Sequence, residues 1–232
     1  MLFSSLSFTF IFLPLTVAAF FAARRVGGIR AAMGLLVGAS FVFYAVWSPP
    51  LVALLAGSIV GNYLLGEWAR RSPRAHRIVI VGIASNLAIL GYFKYAGFLA
   101  TTAGIFVDGL AVPDIILPIG ISFFTFQQIA YLVDIGRKRA EPVSLLHYAL
   151  FISFFPQLIA GPIVYHREIL PQFQREDFGR FSWRNITVGV SVFVAGLAQK
   201  VLLADTLAGP ANDRFAAVNT GQDVMFLEAW GG

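Results

Sequence analysis

The sequence predicts an all-α, polytopic membrane protein, and three observations carry that prediction. Apolar residues fill 58% of the 232 positions while Asp, Glu, Lys and Arg fill only 12%, and the mean hydropathy is +0.76; soluble domains carry about a quarter charged residues. The apolar residues fall into runs of about 20, the length that crosses roughly 30 Å of hydrocarbon at ~1.5 Å per helical residue. The basic residues gather in short clusters between those runs, as the positive-inside rule requires. That distribution, and not a nucleic-acid partner, accounts for the net charge of +5. The chain has no cysteine, so disulfides and thiolate metal sites are excluded. No low-complexity tract or internal repeat divides the chain, and residues 1–232 are expected to form a single membrane domain.

The elements follow in order. Leu2–Ala23 is an uncharged first span, followed by Arg24, Arg25 and Arg30. Its basic residues come after the apolar run, which distinguishes it from a cleaved leader and places the N-terminus outside. Ala31–Trp47 returns, and the prolines of Ser48–Pro50 make a tight turn. Leu51–Gly66 leads to a second cluster, Arg70, Arg71, Arg74 and Arg77. Ile78 to about Phe98 crosses again, with Lys94 placed to snorkel to the far headgroups. The linker VDGLAVPD carries acids and no base, and Ile115–Ile135 returns to Arg137, Lys138 and Arg139. The three clusters, of three, four and three residues, hold 10 of the 17 Lys and Arg residues. Five spans with the N-terminus outside therefore satisfy the orientation rule at every loop.

The stretch ISFFPQLIAGPIVYHREILPQF strains this pattern. A simple crossing by Leu145–Tyr165 would deliver Arg167, Arg175, Arg180 and Arg184 to the outer side. A broken, re-entrant segment, with EILPQFQREDFGRF along the inner interface, avoids that. Its breakers are Pro156, Gly161 and Pro162, with Gln157 between them. Backbone groups freed by such residues cannot face lipid, so the segment is expected to border a cavity or substrate path. One packed kink is the plainer alternative. Asn185–Ala204 is a further span or half-span.

Other polar residues join the candidate path. Ser122, Thr125 and Gln128 recur every third position and share one broad helix face, either lining the cavity or acting as interhelical hydrogen-bond glue. Asp134 is expected to pair with Arg137 or Lys138 as an interfacial anchor. His166, four residues past Pro162, is the histidine best placed to move a proton, although a lone histidine is more often structural. His76 reads as solvated and His147 as interfacial, and the three do not have metal-ligand spacing. Lys200 reads as a snorkelling lysine at a helix end.

LPIGISFFTFQQIAYLVD (117–134), LLHYALFISFFPQLIAGPI (145–163) and NLAILGYFKYAGF (86–98) resemble the membrane-bound O-acyltransferase family, in particular its alginate O-acetylase branch. The similarity runs from the first span to about Asp205. It implies a ring of helices around a central funnel, through which an acyl group passes across the membrane to a hydroxyl acceptor on an exported polysaccharide such as alginate. It implies no bound cofactor and no metal, a donor that is acetyl-CoA or another acyl thioester, periplasmic polysaccharide-modifying partner proteins, and residence in the bacterial inner membrane among its lipids. The family's histidine lies in a tryptophan–histidine motif, whereas Trp183 and Trp230 here precede Arg184 and Gly231. The chain thus resembles the N-terminal portion of a longer protein, and no catalytic residue is expected within it. Its residues would supply walls and entrance to the path. A secondary transporter or flippase with broken helices is the rival reading, against which the missing inverted repeat counts.

Overall fold

The computed structural model describes residues 5–47, 49–104, 115–158, 161, 164–175, 177–209 and 211–212. Among these, every regular element is a helix: α1 (Leu13–Trp47), α2 (Pro49–Arg71), α3 (Ala75–Gly104), α4 (Ile121–Gly136), α5 (Leu145–Ser153), α6 (Phe155–Leu158), α7 (His166–Gln174) and α8 (Trp183–Ala198), with π-helical turns at Phe8–Phe12 and Gln199–Ala204. Four helical stretches are long and apolar enough to cross a membrane: Phe8–Trp47, Pro49–Arg71, Ala75–Thr102 and Trp183–Gly209. The chain is an all-α, multi-pass membrane protein. Pro162, the linker VDGLAVPD and the residues after Asn212 lie outside the described residues.

The first stretch is 40 residues long, about twice what one crossing needs. Gly28 divides it, with φ 73° and ψ −166°. Only glycine adopts that conformation readily, because a β-carbon would meet the backbone. The two halves match the two predicted spans on either side of Arg24 and Arg25. Past Trp47, α2 opens on Pro49 and Pro50, in the first turn where a missing N–H costs no hydrogen bond.

Contacts divide the described residues into two compact units, Leu15–Arg180 and the residues flanking it. In the first unit α4 is the central helix. Nine of its 16 residues are buried, and it packs on α2, α3 and α5. Leu132 and Ile135 fit against Gly82 of α3 and Gly66 of α2, where a β-carbon would come within 2.7 Å of each. Small residues let membrane helices approach closely in this way, since lipid supplies no hydrophobic drive between them. Tyr131, Tyr148, Phe124 and Phe151 complete the core. The outward faces carry Leu64, Trp68, Ile80, Val81, Leu87 and Leu99, as lipid contact requires.

The helix predicted over Ile115–Ile135 starts only at Ile121. Pro118 and Gly120 set the delay: Ile121 N–H donates to the Pro118 carbonyl at 3.2 Å, and Gly120 turns left-handed at φ 70°.

In the second unit, Ser182 caps α8 by accepting from the Asn185 N–H at 3.4 Å, satisfying one of the free donors of the first turn. The span from Trp183 to Gly209 continues through the π-turn, where Lys200 and Asp205 pair at 2.6 Å. Lys200 therefore has a partner within its own helix.

Candidate functional site

The interrupted segment is built from two short helices. Helix α5 is capped by Ser144, whose hydroxyl accepts from the His147 N–H and lies 2.6 Å from His147 Nδ1. It ends when Phe154 leaves helical geometry at φ −52°, ψ 105°. The break thus begins two residues before Pro156, and the four residues of α6 follow it. Proline restricts its predecessor to extended backbone, yet here Phe155 is already helical and the change of direction falls on Phe154.

At this depth freed amides need partners, and the protein supplies one. Phe155 N–H donates to Ser40 Oγ of α1 at 3.2 Å, while that hydroxyl donates to the Leu36 carbonyl at 2.8 Å. Phe43 of α1 packs on the Phe155 ring at 5.3 Å. Leu158 then lies against the start of α4, so close that a β-carbon on Gly120 would stand 2.6 Å from the Leu158 carbonyl oxygen. Tyr44 holds the same turn by donating to the Ile119 carbonyl at 3.2 Å.

From there the chain comes back. Arg167, at the start of α7, meets Asp134 at 2.8 Å, and His166 Nε2 stands 3.6 Å from the same carboxylate. Asp134 is two residues from the C-terminal end of α4, whereas Leu158 sits at its N-terminal end. Leu158 and Arg167 therefore lie against opposite ends of α4, the arrangement that a re-entrant path requires. Arg167 ends on the side where α4 ends.

Asp134 pairs with α7 and not with Arg137 or Lys138. Neighbours three and four residues on share a face only while a helix continues, and α4 stops at Gly136. Lys138 takes a positive φ of 54°, and Asp134's own carbonyl accepts from Arg139 and Ala140 in closing the helix.

The other predicted site residues separate. Ser122 lines a recess of about 320 Å³ with Trp47, Lys94, Leu117, Pro118 and Gly120. Thr125 and Gln128 are buried, at 1% and 0% exposure. Gln128 is interhelical glue: its Oε1 accepts from Ser58 Oγ at 2.8 Å and from Asn62 Nδ2, both on α2. Asn62 in turn exchanges hydrogen bonds with Asn86 of α3, at 2.6 and 3.2 Å. Pro156 is exposed, while Gln157 and Gly161 are half-buried and line neither this recess nor a second one of about 290 Å³ between α2 and α3. Gln157 Nε2 is buried without a hydrogen-bond partner.

His166 is buried against Tyr131, whose ring it meets edge-on at 5.2 Å. Burial pushes its pKa down; Asp134 opposes that, and Arg167 and Arg70 add to it. His76 is exposed, as predicted. Burial first, and then Arg30, lower the His147 pKa. Among the described residues no group of His, Asp and Glu could hold a metal ion.

Sequence reasoning missed the Ser58–Asn62–Asn86 side of the polar cluster and the two anchors, Ser40 and Tyr44. The signal was present in part, since polar residues inside apolar spans need partners, but nothing in their spacing pairs Asn62 with Asn86.

The chain is 37% identical over 260 aligned residues to the peptidoglycan O-acetyltransferase of Helicobacter pylori, an alignment covering 99% of this chain and 49% of that protein. It is 35% identical over 231 residues to the probable alginate O-acetylase AlgI of Pseudomonas putida, and 36% identical over 231 residues to that of Pseudomonas aeruginosa. Each covers 94% of this chain, and 46% and 43% of the relative respectively. The chain thus spans about half the length of the curated relatives it matches. No family model matches it, and no solved structure does. By these relatives, and by the motifs that α3, α4 and the re-entrant segment carry, the chain belongs to the membrane-bound O-acyltransferase family.

Proposed function

We propose that this chain serves an O-acetyltransferase that moves an acetyl group across the bacterial inner membrane to hydroxyls of an exported or cell-wall polysaccharide. One observation carries the reading: relatives named for two different acceptors, peptidoglycan and alginate, match nearly the whole chain at similar identity. What those names share is acetyl transfer to a polysaccharide. A transporter reading has no such support.

The donor in this reading is acetyl-CoA or another acyl thioester. The acceptor hydroxyl attacks the acyl carbon, a base takes its proton, and the thiolate leaves with the bonding electrons. In this reading the chain's packed helices supply walls that hold reactants in line and limit water. Where periplasmic modifying proteins take part, the first acceptor hydroxyl is a carrier's; a sugar hydroxyl then attacks the carrier's acetyl ester and the carrier hydroxyl leaves with its proton restored. The N-terminus lies outside, so that Arg24–Arg30, Arg70–Arg77 and Arg137–Arg139 all lie in the cytoplasm.

Deleting the gene and quantifying alkali-released acetate, separately in the cell-wall glycan and the exopolysaccharide, tests the activity. Loss of acetate from one fraction, restored by the gene in trans, is the expected result and identifies the acceptor. Unchanged acetate in both fractions overturns the reading.

A further inference from the structure

Two basic turns of the first unit are tied to each other. Arg70, in the last turn of α2, donates from its guanidinium to the Ala140 carbonyl at 2.5 Å and to the Glu141 carbonyl at 2.9 Å. Beside it the end of α4 lies on the start of α3, where a β-carbon on Gly136 would meet the Val79 side chain at 3.3 Å. The chain leaving α4 through Arg137, Lys138 and Arg139 is thereby brought to the turn that carries Arg74 and Arg77.

These five cations form a patch with little counter-charge. All five are exposed, and among the described residues none of them pairs with a carboxylate. Glu67 is engaged by Arg70 and Arg71, and Asp134 by Arg167; of the described carboxylates on these turns, Glu141 is left. The positive-inside rule accounts for the side on which such residues stay, but it does not require them to converge. The patch also has an apolar border. Trp68 of α2 and Ile80 and Val81 of α3 are exposed, one helical turn from Arg71 and Arg77, on faces that continue through Leu64 and Leu87. Cation, then tryptophan, then aliphatic side chain is the order met in passing from lipid headgroups into acyl chains. A soluble phosphate compound would use the cations and leave that border idle.

We propose that this patch is a binding site for an anionic phospholipid of the leaflet it faces, with the headgroup phosphate held by Arg74, Arg77 and the Arg137–Arg139 turn and the acyl chains lying along Leu64, Trp68 and Ile80. Arginine suits the task, because its planar fork donates two hydrogen bonds to one phosphate. Like charges brought together repel one another, and a bound anionic headgroup offsets that repulsion while bridging the two turns. The proposal depends on the chain lying in a bilayer and not on acetyl transfer.

The test uses the full-length protein in nanodiscs of phosphatidylcholine and phosphatidylglycerol, with one lipid at a time brominated so that it quenches nearby tryptophan. The signal of Trp68 is the difference between the natural protein and Trp68→Phe. At an ionic strength of about 0.01 M, phosphatidylglycerol is expected to be preferred beside Trp68 by at least about threefold, falling towards onefold at about 1 M, where charges are screened. Arg74→Gln with Arg77→Gln, and separately Arg137→Gln with Arg139→Gln, should each lower the preference at low salt. Equal quenching by the two lipids in the natural protein, or a preference that neither pair of substitutions lowers, overturns the site. Because removing basic residues can disturb insertion, the salt series on the natural protein is a second reading, and a preference that persists at high salt also overturns it. Inorganic phosphate and coenzyme A are added as soluble competitors at matched ionic strength. If either one abolishes the lipid preference, the patch takes a soluble phosphate compound and the lipid assignment falls.

Discussion

Gly120 does two jobs that no other residue can do together. Its φ of 70° lies in the left-handed region, which costs a residue with a β-carbon about 1–2 kcal/mol, and that β-carbon would collide with the Leu158 carbonyl at 2.6 Å. Gly120→Ala should therefore lower the thermal midpoint in detergent, with a loss of at least about 1–2 kcal/mol, whereas Ala at Gly91, inside helix α3 with open space beside it, should leave stability unchanged or raise it by up to about 1 kcal/mol. The polar cluster makes a separate prediction. A double-mutant cycle on Asn62→Ala and Gln128→Ala should return a coupling of about 0.6 to 1.7 kcal/mol, the range for hydrogen bonds between membrane helices. A coupling indistinguishable from zero would mean that the two amides act independently. At this scale the sequence was only partly legible. That Gln128 needs a partner was readable, because an amide in an apolar span cannot stay bare. Which partner was not, since Gln128 and Asn62 are 66 residues apart and pairing at such a distance leaves no local spacing. Asp134 shows the opposite error: nearby Arg137 and Lys138 offered a local answer, and the helix end at Gly136 removed it.

Elements were more legible than pairs, because apolar length is a property of one segment and needs no partner to be read. The paired spans either side of Gly28, and those of α2 and α3, follow from length and the basic clusters alone. The start of α4 was misjudged by six residues because hydropathy does not register the Pro118–Gly120 turn. The interruption near Pro156 was predicted, although the helix breaks at Phe154, ahead of the proline. The break in α1 makes its own prediction. Gly28 combines φ 73° with ψ −166°, a region essentially closed to other residues at a cost of about 1–3 kcal/mol. Gly28→Ala should reduce the membrane-inserted amount and the thermal midpoint. The same change at Gly34, whose backbone is helical and whose side is open, should raise helix stability slightly. If both substitutions behave alike, the break at Gly28 is not needed to turn the chain.

For the chain as a whole, the interrupted segment and the basic clusters test each other. Arg137–Arg139 follow α4 directly, and Arg167 returns to Asp134 near the same end of that helix at 2.8 Å. A chain that crossed once between Leu145 and Tyr165 would put Arg167, Arg175 and Arg180 on the opposite side from Arg139. A chain that turns back at Leu158 puts them all on one side, which is also the arrangement the positive-inside rule prefers. Topology reporters fused after Arg30, Arg77 and Arg139 should all give cytoplasmic signals, and a fusion after Arg175 should agree with the one after Arg139. The last comparison is the sharper, because it holds for either orientation of the N-terminus. Opposite signals at Arg139 and Arg175 would mean that the segment crosses the bilayer, and the contact between Asp134 and α7 could not then form.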